Sequence, residues 1–259
     1  MSSDNSIPQT LRVDHAVIVT DDLDRSVADW RQRGFAVEPG GTHPRGSVNA
    51  LISFADGAYL EIIAFPVPQK DFFWWRVLQE DGEGPVDLAL LPQDLDAALA
   101  RAAQAQLGYE PPQDGGRKRP DGETLVWRTA RPAGTDLPFF CSDVTPRSLR
   151  VPAAPRHPNG ATGISAISLA VNDLDGSSRR WSALTGRQAS SIGPLPGLGA
   201  VAARLDLGPT RLILLAPESA GGGVVGGHLA RRGEGLFGLS FAGPDPILSY
   251  SQASAGASI

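Results

Sequence analysis

The pattern of apolar and polar positions divides the start of the chain into strand and helix segments. Leu11 to Thr20 has the composition of a strand, whereas 23–33 has its apolar residues at helical spacing. Asp22 stands where a helix N-cap is preferred, and Gly34 stands where such a helix would end. Three further strand candidates follow at 35–38, 48–54 and 59–65. The pattern therefore predicts a βαβββ unit.

This unit recurs along the chain. "DDLDRSVADW", which begins at Asp21, returns as "NDLDGSSRRW" 151 positions later, and "DGAYLEIIAFP" has the counterpart "LGPTRLILLAP" at the same shift. Within the first half, "LLPQDLDAALARA" repeats "IVTDDLDRSVADW" 72 positions later. Four modules in two duplicated halves are therefore predicted. The second module is expected to have strands at 86–91, 124–129 and 138–141 and a helix at 95–107, and only 18 residues follow the first strand of the fourth module, 236–241.

Composition narrows the classes of protein to consider. The chain has 259 residues, 41% of them apolar and 20% charged, with a formal net charge of −5. These values are typical of a globular protein and give no electrostatic reason to expect a nucleic-acid partner. Cys141 is the only cysteine, which excludes an intrachain disulfide framework and a cysteine-rich zinc site. The first residues lack the features of a signal peptide, and no apolar run is long enough to span a bilayer, so a cytoplasmic protein with no membrane partner is predicted.

The doubled modules resemble the vicinal oxygen chelate superfamily. Three stretches carry the resemblance to its glyoxalase-like domain branch: "DHAVIVTDDLDRSVADW", "GGTHPRGSVNALISFADGAYLEIIAF" and "LPFF". The resemblance implies an α+β fold in which duplicated βαβββ modules form cupped sheets, with the last module shortened. It also implies a glyoxalase-like domain at 1–146 that holds the cup, a linker at 147–163, and a second half at 164–259.

Glu61 interrupts the strand "AYLEIIAF", which is apolar on both of its alternating faces. Such a strand is covered on both sides, so Glu61 is predicted to be at least partly buried. A buried carboxylate must become protonated, form hydrogen bonds, pair with a cation or coordinate a metal. Its partners are therefore expected to indicate the function.

The resemblance implies metal ligands on the first strand of each paired module and on the last strand of one or both. The matching residues are His15, Glu61 and Asp87, a set that suits Mn²⁺, Fe²⁺, Zn²⁺ or Mg²⁺. A fourth ligand would fall on Phe139 or Phe140, which cannot bind metal. A site without any metal is the alternative.

Other interpretations of these residues stay open. His15 could be a hydrogen-bonded core histidine, Glu61 could form a structural pair with an arginine, and Asp87 could bond a backbone amide or an arginine. In the second half, the shift of 151 leads to Ala166, Leu212 and Gly238, none of which binds metal. The second half is therefore predicted to be structural or to form a wall of the site.

A metal-free alternative uses the glycine-rich stretch "GGTHPRGSVNALISF", which holds His43, Arg45 and Asn49 beside the strand of Glu61. A histidine near neutrality and a glutamate whose pKa is raised towards it would form an acid–base pair. Asn49 could orient a substrate carbonyl. His43 could instead be a solvated turn residue.

The second module offers groups that would face the first across the cup. Arg117 or Arg119 could hold a carboxylate or enolate, while Trp127, Phe139 and Phe140 could cover an apolar group. The alternative is an exposed basic turn and core aromatics.

Two functions follow from these features. The first is a small-molecule enzyme of the lyase, isomerase or dioxygenase type, acting on a carbonyl- or oxygen-bearing compound in the first-half cup. In it Glu61, with His15 or His43, moves a proton or holds a metal that polarises a substrate oxygen. The second is a non-catalytic protein of the same fold that binds or sequesters a small molecule, as drug-sequestering proteins do. The shortened fourth module further predicts a homodimer that covers its open sheet edge.

Overall fold

Two sheets flanked by helices form the computed structural model, which describes residues 11–244 and 249–251. The first half contains β1 (Arg12–Thr20), α1 (Leu23–Gln32), β2 (Glu38–Thr42), β3 (Val48–Ser53), β4 (Tyr59–Ala64), α2 (Phe73–Asp81), β5 (Gly84–Leu91), α3 (Leu95–Gln104), β6 (Gln113–Lys118), β7 (Thr124–Ala130) and β8 (Phe139–Asp143). The rest contains α4 (Arg147–Arg150), β9 (Gly163–Ala170), α5 (Leu174–Thr185), β10 (Ser190–Leu195), a 3₁₀ turn (Pro196–Leu198), β11 (Ala200–Leu207), β12 (Thr210–Pro217), α6 (Gly223–Arg232), β13 (Gly235–Ala242) and β14 (Ser249–Ser251).

The first two modules close into one barrel. Its eight strands follow the order β1-β4-β3-β2-β6-β7-β8-β5, with β5 pairing back onto β1. The second half forms an open six-stranded sheet in the order β10-β11-β12-β9-β13-β14. The α+β class and the cupped, duplicated βαβββ modules are confirmed, and β14 is the one strand after β13 that the described residues contain.

The repeated "DLD" motif has a structural cause. Asp22, Asp94 and Asp173 each cap a helix by accepting a hydrogen bond from the backbone N–H three residues further on, at 2.9 to 3.1 Å. The leucine that follows each aspartate begins the helix. The motif therefore recurs because each module needs the same turn from its first strand into its helix.

Strand β1 is buried on both faces because the barrel interior and an outer core enclose it. Ala16 and Ile18 belong to the large core that joins the barrel to its helices and to the second half, whereas Val17 and Val19 pack with residues of α2. Strand β4 lies parallel to β1, with His15 opposite Tyr59. The alternation gives each strand one face for the core and one for the barrel interior.

An aromatic cluster joins the two halves. Phe241 of β13 lies 5.0 Å from Phe35, 5.7 Å from Phe54 and 6.2 Å from Trp30, measured between ring centroids. All four side chains are buried. The second half is therefore packed against the barrel through a shared core.

Three sequence predictions about element positions differ from the structure. Strand β2 begins at Glu38, whereas the sequence predicted a strand at 35–38. The sequence did not predict strand β6 or helix α2. Both missed strands are rich in glycine, which is depleted in strands generally. Their pairing with neighbours in the barrel outweighs that weak local preference.

The strand register corrects one correspondence between the halves. Val17 of β1 pairs with Glu61, and its counterpart in β9, Ser168, pairs with Ile213. Leu212 therefore does not occupy the place of Glu61, because a shift of one residue moves a side chain to the other face. Leu212 lies in the large core instead. Neither residue can bind metal.

The segment predicted as a linker packs along the first half. It contains α4, and Nδ1 of His157 accepts a hydrogen bond from the Ala36 backbone N–H at 3.0 Å. Nε2 of the same ring lies 3.1 Å from the carbonyl oxygen of Ser53. The segment thus contacts both the helix side and the strand side of the first module.

The edge of the second sheet and the character of the helices bear on the predicted homodimer and on a membrane partner. No strand among the described residues pairs with the outer edge of β10, so the second sheet has an open edge there. Among the helices in the part of the chain that the structure describes, none has both the length and the apolar character needed to cross a bilayer. The homodimer stays a prediction.

The barrel has a weak seam where its two modules meet at β2 and β6. One pair of residues, Thr42 and Lys118, joins these strands, compared with six pairs between β1 and β4. The strands carry two adjacent glycines each, at 40–41 and 115–116. Arg117 adds a hydrogen bond across the seam to the carbonyl oxygen of Gly40.

We expect this seam to open before the rest of the barrel. Amides of β2 and β6 should exchange with solvent at least about tenfold faster than those of β1 and β4, because few hydrogen bonds protect them. Hydrogen exchange followed by mass spectrometry measures this, and Arg117→Gln should accelerate exchange in β2 more than in β4. Equal protection of all four strands would contradict the expectation.

Removing the Phe241 ring should destabilise the whole molecule. Phe241→Ala is expected to lower the free energy of unfolding by about 3–5 kcal/mol, because it leaves a cavity between the halves. Urea denaturation measures the change, with the exposed Val224→Ala as the control of small effect. Two separate transitions, with the first unaffected by Phe241→Ala, would show that the halves are not coupled through this cluster.

Candidate functional site

Glu61 lies inside the barrel on β4 and is only 7% exposed. Asn49 Nδ2 donates a hydrogen bond to its Oε1 at 2.6 Å. His43 Nε2 lies 3.5 Å from the same oxygen, and His15 Nε2 lies 3.6 Å from Oε2. The structure thus brings together four of the residues that the sequence singled out.

Neighbouring strands and one tight turn position these groups. Glu61 is on β4, between β1, which carries His15, and β3, which carries Asn49. His43 is on the β2–β3 turn, which is closed by a hydrogen bond from its backbone N–H to the carbonyl oxygen of Ser47 at 2.8 Å. The Ser47 hydroxyl also lies 3.1 Å from His43 Nδ1. The turn therefore holds the imidazole with Nε2 towards Glu61.

Asn49 has a buried, unpaired acceptor that packs against Gly40. Its Oδ1 is buried and has no hydrogen-bond partner among the described residues. Gly40 makes room for this amide, because any Cβ there would collide with Oδ1. An acceptor left unpaired in a buried place costs free energy, so it is suited to receive a donor group from a ligand.

Electrostatics fix the charges of the central pair. Burial acts to raise the pKa of Glu61, but His43, His15, the Asn49 hydrogen bond and Arg117 bring it below its ordinary value. Burial lowers the pKa of His43, against the opposite effect of Glu61. At neutral pH the pair is therefore a carboxylate beside an uncharged imidazole. The prediction that the pKa of Glu61 is raised was wrong, because its partners outweigh desolvation.

The sequence did not point to three residues at the end of the barrel next to His15. Asp14 Oδ2 lies 2.8 Å from His15 Nδ1, and the Tyr59 ring stacks on the imidazole with 4.6 Å between centroids. Arg150 contacts both Asp14 and the Tyr59 hydroxyl. The signal available in the sequence was the adjacent pair "DH" inside an apolar strand.

The predicted arginines have different environments. Arg117 is buried on β6 and donates to the carbonyl oxygens of Gly40 and Arg150, so it is not part of an exposed turn. Burial lowers its pKa, while Glu61 acts in the opposite direction. Arg45 lies exposed at the rim and pairs with Asp71 at 3.1 Å, away from the cluster around Glu61.

Two of the three predicted aromatic residues line the interior. The edge of Trp127 meets His43 at 6.0 Å, and the edge of Phe139 meets His15 at 5.4 Å, between centroids. Phe140 points to the opposite face of β8, where it stacks on Tyr109. Its assignment to the substrate site is corrected, because successive residues of a strand face opposite ways.

Asp87 forms a separate cluster. It accepts hydrogen bonds from Trp74 Nε1 at 2.8 Å and from Arg131 Nη1 at 2.7 Å. The Arg131 guanidinium also lies over the rings of Phe139 and Trp74, at 4.5 and 4.9 Å from the centroids. Asp87 thus neutralises an arginine held between two aromatic rings.

The family of the chain follows from a match over most of this structure. A family model described as "Glyoxalase-like domain" matches residues 13–185, which include both modules of the barrel, α4 and the start of the third module. The chain belongs to the glyoxalase-like domain family. The resemblance inferred from the sequence is therefore confirmed. No curated protein sequence matches the chain significantly.

Solved structures share the fold of this glyoxalase-like chain. A hypothetical protein from Staphylococcus aureus is 14% identical with a TM-score of 0.62, over 80% of this chain and 87% of that one. A mutant of 4-hydroxymandelate synthase from Streptomyces coelicolor is 15% identical with a TM-score of 0.62, over 91% and 71%. A xylose isomerase-like TIM barrel/4-hydroxyphenylpyruvate dioxygenase fusion protein is 18% identical with a TM-score of 0.55, over 90% and 37%. Identities this low show the fold alone.

The metal-ligand set predicted for the glyoxalase-like domain does not fit a metal in this arrangement. His15 and Glu61 face each other, but Asp87 is bound to Arg131 and Trp74. His43 approaches a different oxygen of Glu61 from the one that His15 approaches. Among the described residues, no group of three histidine, cysteine, aspartate or glutamate side chains is arranged to hold a metal ion.

The charge of Glu61 can be tested through His43. A neighbouring carboxylate favours the imidazolium, so Glu61→Gln should lower the pKa of His43 further below its ordinary value of about 6.5. An NMR titration of the imidazole C–H signals measures both midpoints, and the exposed Glu123→Gln serves as the control that leaves the midpoint unchanged. An unchanged or higher midpoint in Glu61→Gln would mean that the carboxylate is not ionised beside His43.

Proposed function

We propose that this glyoxalase-like protein is an enzyme that binds a small hydroxy-carbonyl compound inside the first-half barrel. The enzyme removes a proton from the carbon next to the carbonyl of that compound. The observation that carries the proposal is the ionised Glu61 held between two imidazoles in an aromatic interior. Such a group has no role in simple apolar sequestration. An isomerase or lyase that acts next to a carbonyl needs a base of this kind.

His43 is assigned as the base. Its uncharged imidazole takes the proton from the carbon next to the substrate carbonyl, and Glu61, 3.5 Å away, stabilises the imidazolium that results. In an isomerisation the proton then returns to the former carbonyl carbon, while the proton of the neighbouring hydroxyl moves to the former carbonyl oxygen, so that carbonyl and hydroxyl exchange places. Because the pKa of Glu61 is lowered, the carboxylate stays ionised and does not compete with His43 for the proton.

The other groups account for binding. The unpaired Oδ1 of Asn49 accepts a hydrogen bond from a substrate hydroxyl, and Trp127 and Phe139 cover the carbon skeleton. A compound with both a hydroxyl and a carbonyl satisfies these groups.

Carbon–hydrogen exchange provides the test. Purified protein is incubated in D₂O with dihydroxyacetone, hydroxyacetone and 4-hydroxyphenylpyruvate, the last chosen because a structural neighbour is named as a 4-hydroxyphenylpyruvate dioxygenase fusion protein. Loss of the C–H signals next to each carbonyl is followed by proton NMR. We expect faster loss with at least one compound, and Glu61→Gln and His43→Gln should slow it by about 10²-fold or more. Glu123→Gln, at an exposed residue of the β6–β7 turn, should keep the wild-type rate.

Two outcomes would contradict this proposal. If a compound binds tightly but its C–H exchange is no faster with wild type than with Glu61→Gln, the alternative of a non-catalytic binding protein is favoured. About one equivalent of Mn, Fe, Zn or Mg by plasma mass spectrometry, lost in Glu61→Gln, would make Glu61 a ligand. The proton-transfer role would then be replaced by a metal-held substrate.

A further inference from the structure

Arg150 touches both groups that hold His15. It is only 2% exposed and lies on α4, in the segment between the two halves. Its Nη1 donates to Asp14 Oδ2 at 2.9 Å and to the Tyr59 hydroxyl at 2.6 Å. Asp14 in turn bonds the edge of the His15 ring, and Tyr59 stacks on its face. One guanidinium therefore fixes both contacts of the imidazole.

The state of Asp14 determines which nitrogen of His15 carries hydrogen. Burial acts to raise the pKa of Asp14, but Arg150, His15 and Arg147 hold it well below its usual range. An ionised carboxylate can only accept hydrogen bonds. His15 Nδ1, 2.8 Å away, must therefore be the protonated nitrogen. In the uncharged ring, Nε2 is then bare and faces Glu61.

We propose that Arg150 is a positioning residue that, through Asp14 and Tyr59, fixes His15 with its hydrogen on Nδ1 and its bare Nε2 towards Glu61. The consequence for catalysis rests on the proposed function, because it makes His15 a second acceptor beside the reacting proton. The segment between the halves then completes the site of the first half. His15 is thus held for chemistry from outside the two modules that form the barrel.

Arg147 provides an informative contrast. It also contacts Asp14, but its other partners are Asp143 and the carbonyl oxygen of Gly57, and its side chain is 22% exposed. Tyr59 is not among its hydrogen-bond partners in the described part of the chain. Arg150 alone of the two arginines therefore couples the edge of the His15 ring to its face.

The tautomer of His15 can be measured directly. The chain has four histidines, so a two-bond ¹H–¹⁵N correlation spectrum is simple, and His15→Gln identifies the signals of His15. The spectrum is recorded over a series of pH values, and the tautomer is read where the ring is uncharged. We expect the Nδ1–H form in the wild type and in Arg156→Met, an exposed arginine of the same segment.

The variants should change this signature. Asp14→Asn should convert His15 to the Nε2–H form, because the asparagine amide can donate to Nδ1. Arg150→Lys should give a mixture in which about half of the molecules have each form, since one ammonium cannot hold Asp14 and Tyr59 as a planar fork does. Arg150→Met should increase the fraction of the Nε2–H form of His15 further. If that variant does not fold, Asp14→Asn and Arg150→Lys still test the inference.

An Nε2–H form in the wild type would overturn the inference, as would a wild-type signature in Asp14→Asn and Arg150→Lys together. These measurements need no substrate. A failed exchange assay with the expected tautomers would refute the proposed function but leave Arg150 as the positioning residue. If exchange depends on Glu61 but the His15 tautomer does not change when Arg150 is replaced, the proposed function stands and Arg150 is not the positioning residue.

Discussion

The buried carboxylate of Glu61 sets the terms for the interior of the barrel. Desolvation alone would favour the neutral acid, and the group stays ionised only because an amide, two imidazoles and a more distant guanidinium surround it. These partners come from β1, β3, β6 and the β2–β3 turn. The ionisation of Glu61 therefore depends on the order β1-β4-β3-β2-β6, which places the strands carrying these groups side by side.

A row of buried ionisable groups extends from this centre to one end of the barrel. Glu61 faces His15, His15 faces Asp14, and Asp14 faces Arg150, which in turn meets Asp143. Removal of one member would leave a buried charge without a partner, which is far costlier than the net value of any intact pair. At the level of Asp87 the same rule holds, since Arg131 neutralises it. The interior thus combines fixed charges with aromatic walls.

Sequence reasoning succeeded where the information was local. The repeated aspartate caps and the alternation along β1 and β4 predicted the modules, and the short link between β3 and β4 placed Asn49 near Glu61. It failed where partners are distant in sequence. Asp14 and Arg150 are 136 residues apart, so no local pattern announces their contact. The pKa of Glu61 was misjudged for the same reason, because burial can be inferred from a strand whereas the surrounding charges cannot.

The remaining errors of prediction concern strands rich in glycine and the side of a strand to which a residue points. Glycine in β2 and β6 hides them from any propensity argument, and yet those glycines admit the amide of Asn49 and the indole of Trp127 against the backbone. Phe139 and Phe140 are indistinguishable by type, and only their register separates the interior residue from the core residue.

The position of α4 has a consequence for how the molecule can be divided. A fragment ending at residue 146 would contain every strand of the barrel but neither Arg147 nor Arg150. Asp14 would then lose both of its arginine partners. The smallest autonomous unit of this protein is thus not the set of strands that closes the barrel, and a boundary drawn from strand topology alone would cut through its electrostatic balance.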